Sequence, residues 1–129
     1  MRFLTIFSAP ERDHRPSMDE MVAMGKLIDE MASKGVLVTT EGCKGTDRAV
    51  RAIRGGDGKI TVTDGPFSEA KEVVGGFAIL ECTSRDEALA WTKRFLDVGG
   101  DGTAEIRELY DTPAFDRNTG VNMAVPTTP

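Results

Sequence analysis

The side chains best placed for chemistry in this sequence are carboxylates. Asp64 opens the turn Asp64-Gly65-Pro66-Phe67, directly after the strand-like run Ile60 to Thr63. Pro66 fixes its own φ and biases Gly65 toward extended backbone, so the turn is stiff and sets the direction in which Asp64 leaves the strand. Partial burial in a cavity would raise the pKa of such a carboxyl and suit it to proton transfer. Glu41, ending a second strand-like run, and Glu81, which alternation places on the side of Phe77 and Ile79, are the supporting carboxylates. A carboxylate on an apolar strand face needs a cation, and Lys71 or Arg107 is the candidate. Phe67, Lys71, Glu72, Arg107 and His14 form the candidate substrate-binding set. The turn also reads as a purely structural corner, with Asp64 accepting from the following backbone N–H groups and Phe67 anchored in the core or a subunit interface. Both readings stand at this level.

Other chemistries find less support. Thr39 and Thr40 carry hydroxyls, but no Ser-His-Asp order accompanies them. Cys43 and Cys82 have neither metal-ligand spacing nor the pattern of a disulfide framework, and both read as small buried or half-buried strand residues in a reducing cytoplasm. The run Gly55-Gly56-Asp57-Gly58 is followed by no helix N-terminus, so it reads as a hairpin turn rather than a phosphate loop. No cofactor or metal is expected. The only histidine, His14, falls in the loop "ERDHRPS", where it is either solvated or a base folded over a pocket mouth.

A net charge of −5 and a pI near 4.9 argue against binding to a nucleic-acid backbone, which requires clustered cations. No apolar run approaches the roughly 20 residues of a membrane helix, and "MRFLTIFSAPER" reads as a first strand rather than a signal peptide. The expectation is a cytoplasmic protein.

The elements that must hold these residues follow from periodicity and capping. "RFLTIFS" is a strand buried on both faces. Ser17 and Glu20 form a capping box for a helix with Met21, Met24, Ile28, Met31 and Ala32 on one stripe, closed by Lys34 and Gly35. "VLVTTEGC" is the second strand. After a hairpin formed from "RAVRAIRGGDGKITVT", the grammar repeats: strand "GGFAILECT", a Ser84–Glu87 capping box, a helix with Ala88, Trp91, Thr92, Phe95 and Leu96 on one side, then strand "GTAEIRELY". Two strand-helix-strand units predict an α+β, ferredoxin-like split βαβ sheet with an inserted β-hairpin and both helices on one face. The other sheet face is then apolar and calls for a partner, and a second copy of the chain is the commonest solution. The expected domain spans residues 1–110. Residues 111–129 lose periodicity and read as a partly ordered arm across a dimer partner.

The segment "VTDGPFSEAKEVVGGFAILEC", with Asp64-Gly65-Pro66-Phe67, Glu69, Lys71, Glu72 and Gly75-Gly76-Phe77, resembles the DGPF-motif branch of the YCII-related domain family. The helix "EALAWTKRF" and the strand "AEIREL" stand where that family uses them. The resemblance implies a dimeric α+β barrel. It also implies kinship with a largely uncharacterised group in which some relatives are linked to dehalogenation or ring-fission chemistry and a His-Asp pair is proposed as catalytic; here His14 departs from that pair's placement. Two functions are therefore expected to compete. One is an acid-base enzyme acting on a small molecule in the cavity between the two sheets of a homodimer; the other is a non-catalytic small-ligand-binding or regulatory module.

Overall fold

β-Branched and aromatic side chains make Arg2–Ala9 an eight-residue strand, β1, at the centre of the sheet. The structure is a computed structural model and describes residues 1–11 and 16–110. Helix α1 (Met18–Ser33) follows, then β2 (Leu37–Gly42), a 3-10 turn (Thr46–Arg48), β3 (Val50–Arg54), β4 (Ile60–Asp64), β5 (Val73–Glu81), α2 (Arg85–Gly99) and β6 (Thr103–Glu108). The main sheet has the order β2-β5-β1-β6 and is antiparallel throughout. Without β3 and β4 this is the ferredoxin-like arrangement, and the hairpin stands between its second and third strands as a separate two-stranded sheet.

The serine half of each expected capping box forms, while the Glu87 carboxylate accepts from Thr83 rather than from the Ser84 amide. Ser17 Oγ accepts the Glu20 amide at 3.1 Å and Ser84 Oγ accepts the Glu87 amide at the same distance, relieving donors that a helix cannot satisfy itself. Gly35, at φ 72°, takes the left-handed turn that leads from α1 into β2.

Strand pairing divides the sheet into two faces. Phe3 lies opposite Leu80, Thr5 opposite Ala78 and Phe7 opposite Gly76. Phe3 and Leu80 pack with Leu27 and Met31 of α1 and Ala88 of α2, so this set faces the helices. The alternate residues Leu4, Ile6, Phe77 and Ile79 therefore share the outer face and are half-buried. The buried stripe of α1 differs from the expected one: Leu27 and Met31 are buried, Met21 is half exposed and Ala32 exposed. Periodicity admits either of two adjoining faces. The one chosen seats the C-terminal half of α1 on the sheet and leaves Met21 and Met24 beside open space.

An ion pair ties the helices together. Arg94 donates to Glu30 at 3.0 and 2.6 Å, Lys34 approaches the same carboxylate at 3.4 Å, and both cations lie over the Trp91 ring. The Arg94 hydrogen bonds, with its charge and Lys34 assisting, lower the Glu30 pKa from 4.5 to about 2. A carboxyl depressed in the folded state stabilises the fold above its unfolded pKa and loses that contribution as pH falls through the folded one. Arg94→Met is thus expected to unfold at lower urea concentration than wild type at pH 7. The gap should shrink between pH 4.5 and pH 2 and vanish below, and a gap at pH 2 as large as at pH 7 would show that the pair acts by packing alone.

Candidate functional site

Small residues on the sheet and an incompletely seated helix leave a cavity of about 590 Å³ between the helix layer and the sheet. Thr5, Ala78, Gly76 and Thr40 form its floor, and Met21, Met24 and Ile28 its roof. Phe7 and Phe95 close one side in an edge-to-face pair with centroids 5.6 Å apart. Phe7 is pinned from beneath, because a Cβ on Gly102 would lie 2.6 Å from its ring. Trp91 lines the cavity from α2. The size is that of an ordinary small-molecule site, and the walls have the usual apolar and aromatic character.

Three hydroxyls line it, those of Thr5, Thr40 and Thr92. Thr92 Oγ1 donates to the Ala88 carbonyl at 2.8 Å and Thr40 Oγ1 to the Phe77 carbonyl at 3.0 Å, leaving lone pairs on both oxygens. Thr5 is 6% exposed, and its Oγ1 is buried without a hydrogen-bond partner, alone in this among the described side chains. Among the described residues lining the cavity, the ionisable ones are Glu20 and Glu41, both exposed.

The turn Asp64–Phe67 builds something else. The Gly65 amide donates to the Ala49 carbonyl at 2.9 Å, and the Gly65–Pro66 peptide is cis. Phe67 is buried; its amide donates to Thr46 Oγ1 at 3.0 Å, and the Arg51 guanidinium stands 4.0 Å over its ring. Buried Thr46 in turn donates its amide to Glu11 Oε1 at 2.6 Å and its hydroxyl to Glu11 Oε2 at 2.7 Å. The hydroxyl first, then the amide, holds the Glu11 carboxyl below the usual range. This is a lock joining the end of β1, the 3-10 turn and the exit from the hairpin; it anchors Phe67 in the core as one reading expected, but the Gly65 and Phe67 amides go to Ala49 and Thr46 rather than to Asp64.

The candidate residues separate accordingly. Asp64 is exposed at the end of β4, paired with Val50, and does not border the cavity. Glu41 borders it at the sheet edge, opposite Phe77. Glu81 lies on the outer face as alternation required, but its partner is the Met1 ammonium at 3.4 Å rather than Lys71 or Arg107. Arg107 pairs with Glu105 at 3.3 Å. Lys71 is exposed, and Glu72 accepts the Thr103 hydroxyl at 3.4 Å. Cys43 is exposed beyond β2, not a buried strand residue, whereas Cys82 is buried and its thiol pKa is raised, chiefly by desolvation. His14 and the arm 111–129 lie outside the described residues. Thr5 escaped sequence reasoning, although a hydroxyl amid "RFLTIFS", in register with Phe3 and Phe7, was a visible signal.

Comparison with known proteins gives concordant findings. A stretch of 62 residues is 37% identical to an uncharacterized protein of Rhizobium meliloti (strain 1021), covering 47% of this chain and half of that protein's length. Among solved structures, the chain is similar, at a TM-score of 0.48 and 15% identity, to the 5-chloro-2-hydroxyhydroquinone dehydrochlorinase TftG of Burkholderia phenoliruptrix AC1100, over 85% of this chain and 94% of that one. Residues 1–112 match the YCII-related domain, and the chain therefore belongs to the YCII-related family.

Proposed function

We propose that this protein, a member of the DGPF branch of its family, binds a small molecule in the cavity between its helices and its sheet. The observation that carries the reading is the cavity itself: about 590 Å³, walled by aromatic and methionine side chains, with hydroxyls in its floor and inner wall. Tightly packed interiors rarely leave such space without use. Ala78 is on the floor opposite Thr5, so Ala78→Leu fills the cavity from beneath. The neutral naphthyl ketone dye prodan is expected to shift to blue emission on wild type and to lose that shift on Ala78→Leu, with the melting temperature kept. Equal dye response in both proteins would remove the cavity from the function.

A second reading, acid-base catalysis, draws on the opposite sheet face. Glu81 and Arg107 share that face with Leu4, Ile6, Phe77 and Ile79, and Glu41 is paired opposite Phe77. A second copy laid face to face would enclose them between two sheets in a dimeric α+β barrel, with Asp64, Phe67, Lys71 and Glu72 brought from the corner and His14 from the loop after β1. Val50, Ile53, Ile60 and Val62 leave the hairpin with exposed apolar side chains, and an isolated two-stranded hairpin is marginal in water, which favours a homodimer that covers it. Light scattering at micromolar concentration distinguishes the readings, since a monomer that still binds prodan supports the first and removes the second.

A further inference from the structure

A buried hydroxyl without a hydrogen bond destabilises the fold, and Thr5 carries the one such oxygen among the described side chains. It occupies the central strand, flanked on its own face by Phe3 and Phe7 and paired with Ala78 on one side and Ile106 on the other. Valine has the same shape and suits that position better on packing grounds alone. Thr5 lines the cavity while its oxygen is shielded behind that surface, and rotation about χ1, which exchanges oxygen and methyl, is what turns the hydroxyl toward an occupant. The other hydroxyls lining the cavity, Thr92 Oγ1 and Thr40 Oγ1, have committed their protons to backbone carbonyls and can only accept. Charge limits the occupant further. No Lys, Arg or His lines the cavity among the described residues, and the ionisable lining residues, Glu20 and Glu41, are both acidic. An anion brought into this apolar space would meet no cation among the described residues, and its desolvation would go uncompensated there.

Resting on the reading of this cavity as a small-molecule site, we propose that it takes a neutral, largely apolar ring compound bearing one hydroxyl or carbonyl oxygen, that Thr5 recognises this oxygen, and that the cavity excludes carboxylates. The methionine roof adapts to the ring, Phe7 and Trp91 offer aromatic contact, and Thr5 supplies orientation.

Titration calorimetry at pH 7 with 1-naphthol, its methyl isostere 1-methylnaphthalene, and 1-naphthoate tests this. The full chain is expected to bind 1-naphthol roughly tenfold more tightly than 1-methylnaphthalene, with no heat from 1-naphthoate. Thr5→Val should erase the tenfold preference while raising the melting temperature, and Thr5→Ser should retain the preference. Binding of 1-naphthol and 1-methylnaphthalene with equal affinity would overturn the role of Thr5 and leave the cavity reading standing. Binding of 1-naphthoate as tightly as 1-naphthol would overturn the exclusion of anions. Failure of all three compounds to bind would remove the cavity reading itself, and this inference with it.

Discussion

Gly65→Ala is expected to lower stability by about 3 kcal/mol or to prevent folding, because overpacking against immobile backbone ranks among the costliest single changes. A Cβ at this position would lie 1.7 Å from the Thr46 carbonyl oxygen, 2.8 Å from its carbon and 3.3 Å from the Ala49 oxygen. None of these atoms is the free end of a side chain. Both belong to segments held by other bonds: the Thr46 amide and hydroxyl by Glu11, the Ala49 carbonyl by the Gly65 amide itself. Relief requires the 3-10 turn to move away from the hairpin, and that separates Thr46 Oγ1 from the Phe67 amide. Gly56→Ala, at the open hairpin tip where an added Cβ meets nothing, should change stability by less than about 0.5 kcal/mol. Urea midpoints for the two variants decide the matter, and a wild-type midpoint for Gly65→Ala would show that the corner is not locked.

The second large effect is expected at Leu80→Ala. Leu80 is 2% exposed, pairs with Phe3 and Leu37, and forms part of both the core and the cavity wall. Removing its side chain costs about 3 kcal/mol or more, toward the upper part of the range for such truncations, because the new void opens into an existing one and the neighbours cannot collapse into it. Ile79→Ala, one residue away on the outer face, truncates a half-buried side chain and should cost about 1 kcal/mol in an uncovered sheet. The comparison reads out more than packing. An Ile79→Ala cost equal to that of Leu80→Ala would mean that the outer face is buried in solution, as in a face-to-face pair of sheets.

What the sequence disclosed follows the range of the interactions concerned. The two serine N-caps, the Gly35 turn and the hairpin around Gly58 depend on neighbours within a few residues, and each formed as expected. The anchoring of Phe67 was legible for the same reason, as a stiff turn must send its next side chain somewhere defined. The partner of Glu81 was not legible, because the Met1 ammonium reaches it only through the pairing of β1 with β5. The cavity was legible least of all. It depends on how α1 settles on the sheet, and a stripe offering Met21, Met24, Leu27, Ile28 and Met31 leaves that rotation open. Thr5 acquires meaning only once the space beside it exists.

The position of β1 bears on how the chain is made. β1, the first strand of this domain to be synthesised, is flanked in the finished sheet by β5 and β6, with Phe3 paired to Leu80 and Glu108. The segment "RFLTIF" therefore has no native strand partner until the second half of the domain has been synthesised. β2 has none either, as its sheet partner is β5. Contacts of such long sequence separation close slowly, and an apolar strand waiting for them is exposed to pairing with other nascent chains. Helix α1 is the only large element near enough in sequence to shelter β1 during that interval. Co-translational burial of β1 should thus begin with a transient strand-helix pair, and the sheet should close in a single late step when β5 and β6 arrive.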